Sequence, residues 1–236
     1  RAIAAPHIDV RRGSNCFAQS YQALLEGSQA DIFVILGIAH AGTRQPYTLT
    51  RKPFETPLGI VETDGGFVDE LAKRAGGERL FVDEFAHKKE HSIEFQALFL
   101  RYVMQDRPVK IVPILCGSFH PYLVTETPPT DDPHVAGFIG ALGEMIGERG
   151  ENVCVIAGVD LAHIGGRFGD SEPTTTASRA EIERHDRKLL GHVASIDPDA
   201  MYWSLVEDQD ARRVCGYPAL YTLLNVIDAK SGELLS

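Results

Sequence analysis

The stretch VCVIAGVDLAHIGG, residues 153–166, begins as an unbroken apolar run and ends in an aspartate, a histidine and two glycines. A short run apolar at consecutive positions suits a strand covered on both faces rather than one alternating between core and solvent. Three more stretches share the pattern: AIAAP (2–6), DIFVILG (31–37) and VKIVPILCG (109–117). Between them lie helical patterns. FAQSYQALLEG (17–27) stops at glycine, and GFVDELAKRAGG (66–77) follows Thr63-Asp64 as a cap and ends in glycines. SIEFQALFLRYVM (92–104) is apolar nearly all round and reads as a buried helix. AEIERHDRKLLGHV (180–193) is amphipathic. DPDAMYWSLV (197–206) opens with Asp-Pro as N-cap and first helical position, and YPALYTLLNVIDAK (217–230) carries Pro218 near its first turn. Strands alternating with helices predict an α/β fold: a central, largely parallel or mixed sheet with helices on both faces. Residues 121–134 and 165–178 read as long surface loops.

With 236 residues the chain has enough length for one large domain and a substantial core, and no internal repeat or linker demands a second. Apolar residues make up 44% and charged residues 24%, as in ordinary globular proteins. The net charge of -10, with acids spread along the chain, argues against nucleic acid as a partner. No apolar run reaches the roughly 18 residues of a membrane span, so no membrane association is expected. The chain opens at Arg1 rather than Met, which leaves room for an N-terminal segment ahead of it. Cys16, Cys116, Cys154 and Cys215 lie far apart without a CxxC pair, suggesting neither a zinc knuckle nor a disulfide scaffold. A reducing, cytoplasmic setting is the expectation.

The strands deliver imidazoles. AIAAPH ends in His7, DIFVILGIAH in His40, VKIVPILCGSFH reaches His120, and the opening stretch reaches Asp160 and His163. In open α/β sheets the ligand crevice lies outside the carboxyl ends of the strands. Imidazoles gathered there are the makings of a transition-metal site or an acid–base centre. KKEHSIEF places His91 just before the buried helix, where it can point back to the same rim. RVCGYPAL places Cys215 before a helix start, where free N–H groups favour a thiolate that is either a metal ligand or a nucleophile. Asp160, three residues before His163, can orient an imidazole or bind a polar substrate group. Each has a plainer reading when taken singly, as a hydrogen-bonded loop histidine or a half-buried thiol. His87, His134, His185 and His192 read as solvated, and His120 ranks below the others because it precedes Pro121 and a loop. Glu90 is equally a rim carboxylate or a solvated first-turn glutamate.

The motifs APH at 5–7, LGIAH at 36–40, EHSIE at 90–94, PILCG at 113–117, VDLAH at 159–163 and CGYP at 215–218 occur in the order seen in the Memo family. The chain resembles that family over nearly its whole length, as one Memo-like domain spanning 1–236. The family in turn resembles the class III extradiol dioxygenases, whose non-heme iron is held by two histidines and a glutamate; Memo proteins have two histidines and a cysteine instead. The resemblance implies His7, His40 and Cys215 as metal ligands, His163 as the acid–base residue, and Asp160 and His91 as residues lining the same pocket. It implies a divalent or soft transition metal, iron first, with copper or zinc as alternatives. Bacterial members are also called AmmeMemoRadiSam system protein B, a name that implies association with a radical-SAM pathway besides an unidentified small-molecule substrate. Three positions depart from the common pattern: APHIDV stands for APHAGY, His40 is followed by Ala41 rather than a second histidine, and Gly158-Val159 replaces a serine pair.

Three functions follow. The first is a mononuclear metal enzyme of oxidative type, with His163 shuttling a proton. The second is a hydrolase using a zinc-bound water, or Cys215 as nucleophile with His163 in direct reach as base. The third is a non-catalytic binding or adaptor protein with a vestigial dioxygenase pocket.

Overall fold

The computed structural model describes residues 1–235. Its strands are β1 (Ala2–Ala5), β2 (Ile32–Ile38), β3 (Tyr47–Leu49), β4 (Phe54–Thr56), β5 (Gly59–Thr63), β6 (Lys110–Cys116) and β7 (Val153–Gly158). The helices are α1 (Val10–Gly27), α2 (Gly65–Ala75), α3 (His91–Met104), α4 (His120–Val124), α5 (Pro133–Arg149), α6 (Thr176–Ala194), α7 (Pro198–Glu207) and α8 (Tyr217–Val226). The sheet runs β1-β7-β2-β6-β5-β4, with β3 added to β6. β1, β7, β2, β6 and β5 pair in parallel, while β4 on β5 and β3 on β6 are antiparallel. The expected α/β architecture is thus present in its mixed form.

The four apolar runs are the contiguous parallel strands β1-β7-β2-β6, with β1 at the edge, and every residue of β7 is buried. One face is covered by α1 and α3 through Phe17, Tyr21, Leu24, Ile93 and Leu100. The other is covered by α2, α5 and α8 through Phe67, Leu71, Phe138, Leu142 and Leu220. This two-sided burial is why the strands lack a polar alternation. No helix among the described residues is long and apolar enough to cross a membrane.

The buried helix α3 presses hard on the carboxyl end of the sheet. A Cβ on Gly37 would lie 2.5 Å from Ile93, and one on Gly158 would lie 2.7 Å from the Ser92 carbonyl oxygen. Ser92 Oγ accepts from Ile38 N–H at 2.9 Å and donates to Ile38 O at 3.0 Å. Gln96 donates to Pro6 O at 2.8 Å. One helix therefore grips the ends of both β1 and β2.

Several boundaries differ from expectation. α1 starts at Val10 rather than Phe17, because Asp9 caps it by accepting from Arg11 N–H at 2.9 Å. α5 is absent from the sequence reading, though Asp132-Pro133 opens it with the same cap that marks 197–198: Asp132 accepts from His134 N–H at 2.7 Å. α4 and the start of α5 lie in the expected loop 121–134. The loop 165–178 gives way to α6, begun by a Thr175–Ser178 capping box. α8 ends at Val226 rather than running to 230.

Candidate metal centre

β1, β7 and β2 are neighbours, and each ends two residues before a polar side chain: His7 after Ala5, Asp160 after Gly158, His40 after Ile38. Cys215 arrives from the segment before α8. The ring centroids of His7 and His40 are 5.0 Å apart with planes at 89°, and Cys215 Sγ lies 3.4 Å from His7 Nε2. Ligand atoms of His7, His40 and Cys215 all lie within 4.8 Å of one another.

The second nitrogen of each of these two imidazoles is tied off. His7 Nδ1 is 2.8 Å from the Gly158 carbonyl, which only accepts, so Nδ1 carries the proton and Nε2 keeps its lone pair toward Sγ. His40 Nδ1 is 2.9 Å from Glu90 Oε1. Burial pushes the Glu90 carboxyl up, but hydrogen bonds from the His40 ring and backbone, the His40 charge and the Ser92 N–H hold it down at about 2. An ionised carboxylate also only accepts, so the His40 Nδ1 carries a proton and Nε2 is the nitrogen turned away from Glu90. For an ion with bonds of about 2.05 Å to nitrogen and 2.3 Å to sulfur at near-tetrahedral angles, the N···S separation is about 3.4–3.6 Å. The His7–Cys215 pair already has that spacing.

Burial lowers the pKa of His7, against the raising effects of the Asp160 charge and the Gly158 hydrogen bond. Burial pushes the Cys215 thiol up to about 12, with the Asp160 charge adding to it. The pair is therefore a neutral thiol facing a neutral imidazole. The thiol faces two acceptors, His7 Nε2 at 3.4 Å and the Asp160 carbonyl at 3.7 Å, and a bound soft cation would take the place of its proton. Two imidazoles and a sulfur fit iron, zinc or copper, and the hard ions Mg2+ and Ca2+ poorly.

His91 lies beside the cluster, its ring stacked on His40 at 5.0 Å and 12°. With His40 and Glu90 it forms a second group whose ligand atoms lie within 4.8 Å of one another, sharing His40 with the first. It is half-exposed, with Nδ1 3.2 Å from Glu90 Oε1 and its ring edge-on to His7 at 5.5 Å. Asp160 accepts from His7 N–H at 3.1 Å and faces His7 Nε2 at 3.7 Å. Its carbonyl accepts from Gly216 N–H at 3.0 Å, which anchors the turn holding Cys215. That segment also bends through Gln209, Asp210 and Arg213, three non-glycine residues with φ near +50°, a conformation of the order of 1 kcal/mol uphill for each. His163 stands apart. Its Nδ1 donates to Leu161 O at 2.8 Å and its ring packs on Phe168 at 4.9 Å, with no hydrogen bond or ring contact to His7, His40 or Cys215. The His120 side chain, 59% exposed, lies 3.9 Å from Asp210 Oδ2.

A family model for Memo-like proteins matches residues 1–236. The chain belongs to the Memo family. Curated relatives named MEMO1 family proteins include one from Aquifex aeolicus, 28% identical over 238 residues covering 100% of this chain and 58% of the relative. Another, from Thermococcus kodakarensis, is 32% identical over 212 residues, 87% of this chain and 68% of the relative. A third, from Methanosarcina mazei, is 31% identical over 229 residues, 97% of this chain and 73% of the relative. The chain thus spans little more than half the length of the Aquifex protein.

In this Memo family chain the two readings left open for Glu90 resolve to the rim carboxylate, and three histidines read as solvated are not. Glu90 is buried at 7% exposure and is the N-cap of α3, bonded from His40, His91 and Ser92. The only available signal was its place just before a buried helix. His87 is not solvated but 8% exposed; its Nε2–H donates to Thr48 O at 3.1 Å, and Nδ1 has no partner among the described residues. His185 and His192 are half-buried, while His134 is exposed as expected. Burial lowers the His87 pKa to about 4 against an unfolded value of 6.5. Between those values the unfolded chain binds a proton that the folded chain refuses, so stability falls as pH drops from 6.5 to 4. The expected loss at pH 4 is about 3 kcal/mol, and His87→Gln removes it. Urea denaturation of both proteins at pH 7 and pH 4.5 checks this; equal pH slopes would refute it.

Proposed function

We propose that this chain is a mononuclear transition-metal protein in which His7 Nε2, His40 Nε2 and Cys215 Sγ hold one ion from one side, leaving open positions for a small-molecule ligand. The observation that carries this reading is that both imidazoles have Nδ1 committed, to Gly158 O and to Glu90, while Sγ stands 3.4 Å from His7 Nε2. A bound iron ion would supply one-electron chemistry with dioxygen and Lewis acidity toward the substrate, as in a non-heme-iron oxidoreductase. The chain's own residues do the rest. Asp160 fixes the His7 backbone and keeps a carboxylate beside the site, so a neutral or cationic substrate group is preferred there over an anionic one. His91, half-exposed over His40, is placed to pass a proton between that ligand and solvent. His163, with Nδ1 bound to Leu161 O, keeps Nε2 as a second proton-accepting group.

A Cys215 nucleophile is the weaker reading. The base it needs, His163, makes no hydrogen bond to it, and the thiol stays neutral beside a neutral His7.

The test is metal content and titration with Fe(II), Zn(II) and Cu(I) under anaerobic, reducing conditions. The wild type is expected to hold one ion per chain, and His7→Ala, His40→Ala and Cys215→Ser to lose it while keeping their far-UV circular dichroism. A wild type with no stoichiometric ion under any of these conditions would sink the proposal.

A further inference from the structure

Resting on the metal reading above, we infer that Glu90 is a positioning residue: it fixes the proton of His40 on Nδ1 and thereby holds Nε2 as the metal-binding nitrogen. Its two oxygens collect the His40 backbone N–H at 2.9 Å, the His40 ring at 2.9 Å, the His91 N–H at 2.8 Å and the Ser92 N–H at 3.1 Å. Every one of these neighbours is a donor. A His40 protonated on Nε2 would turn the Nδ1 lone pair toward a buried carboxylate and put an N–H where the ion binds, so Glu90 opposes that tautomer twice over.

The carboxylate also joins two elements. It caps α3 while binding the residue that follows β2, and Ser92 in the next turn bonds both polar groups of Ile38. The close approach at Gly37 leaves no room for the helix to draw back. The cap of α3 and the aim of His40 are thus one contact, and the α3 helix serves as the template against which the ligand is set. A carboxylate behind a ligand imidazole also raises its donor strength, and losing such a partner costs about 10–100-fold in metal affinity.

Two readouts test the inference. The first is the 15N spectrum of the histidine rings in metal-free protein, in which His40 is expected to be the Nδ1–H tautomer in the wild type and to move toward Nε2–H in Glu90→Gln. The second is Zn(II) affinity by competition with a chromophoric chelator. The dissociation constant is expected to rise about 10–100-fold in Glu90→Gln. Asp64→Ala, which removes the cap that accepts from Phe67 N–H on α2, serves as a stability control and is expected to leave the constant within about twofold. An Nε2–H His40 in the wild type overturns the inference without any variant. A Glu90→Gln protein with an unchanged tautomer, or an affinity matching Asp64→Ala, overturns it as well. A wild type that binds no Zn(II) instead overturns the metal reading beneath it, which is a separate result.

Discussion

Replacing Arg212 by methionine is expected to lower the unfolding free energy by about 3–5 kcal/mol, a large fraction of the whole for a domain of this kind. The Arg212 side chain is 5% exposed. Its Nε donates to Asp208 Oδ2 at 2.8 Å and its Nη1 to Asp186 Oδ1, linking the end of α7 to α6. Methionine fills much of the same space, so packing is not the main loss. The cost comes from two enclosed carboxylates left without their cation, one of which already has an unpartnered oxygen in Asp208 Oδ1. His185, 3.6 Å from Asp208, is a weak substitute. Urea denaturation at pH 7 measures the difference, and a change below about 1 kcal/mol would show that water reaches the carboxylates instead. Returning the local charge to its original −1 with Asp186→Asn in the Arg212→Met background should recover part of the loss, since the interaction energy of such neighbours is non-additive.

Gly158→Ala is the second large effect. The new Cβ would sit 2.7 Å from the Ser92 carbonyl oxygen and 3.0 Å from Gln96 Nε2. Ser92 is backbone at that point and is clamped to Ile38 on the far side, so neither partner yields cheaply. Overpacking of this kind costs about 1–3 kcal/mol and sometimes more. Here β7 must part from α3 for the methyl to fit, and the upper end of the range is expected. With about 2–4 °C per kcal/mol for a chain of this size, the melting temperature should fall by about 6–12 °C. Because the Gly158 carbonyl also receives His7 Nδ1–H, metal affinity should fall with it. A thermal melt within about 2 °C of wild type would show that α3 can slide, and would weaken the template role given to it.

The parallel centre of the sheet was legible because strands buried on both faces leave long apolar runs that nothing else explains. β3, β4 and β5 were not, since three to five residues set among prolines and threonines carry no period. α5 was hidden by Gly137, Gly140, Gly143 and Gly147, each a poor helix former in isolation. Gly143 has its reason in the fold, where a Cβ would lie 3.7 Å from the Val226 backbone of α8. At the site, His7, His40, Asp160, His91 and Cys215 could all be flagged from strand ends and motifs, and the chain brings those five side by side. Glu90 could not be resolved, because a glutamate before a helix reads the same whether it faces water or a neighbouring strand. Which of the two holds depends on how closely α3 approaches Gly37, a property of the packed molecule. His163 lies five residues past the end of its strand, where its counterparts lie two, and its N–H donates to Arg212 O at 2.7 Å.

His7 and Cys215 touch across 208 positions of sequence, so the head and the tail of the fold meet at the site. An ion held by both would act as a buckle on a belt of almost the full chain. While the ion stayed on both ligands, the loop-entropy relation used for covalent cross-links would put the restriction of the unfolded chain at about 5 kcal/mol. The buckle opens under reagents that leave ordinary cross-links alone: chelators, acid, or oxidation of one sulfur. Through that single fastening, metal supply in the surroundings would set how long the folded chain survives, quite apart from any reaction it performs.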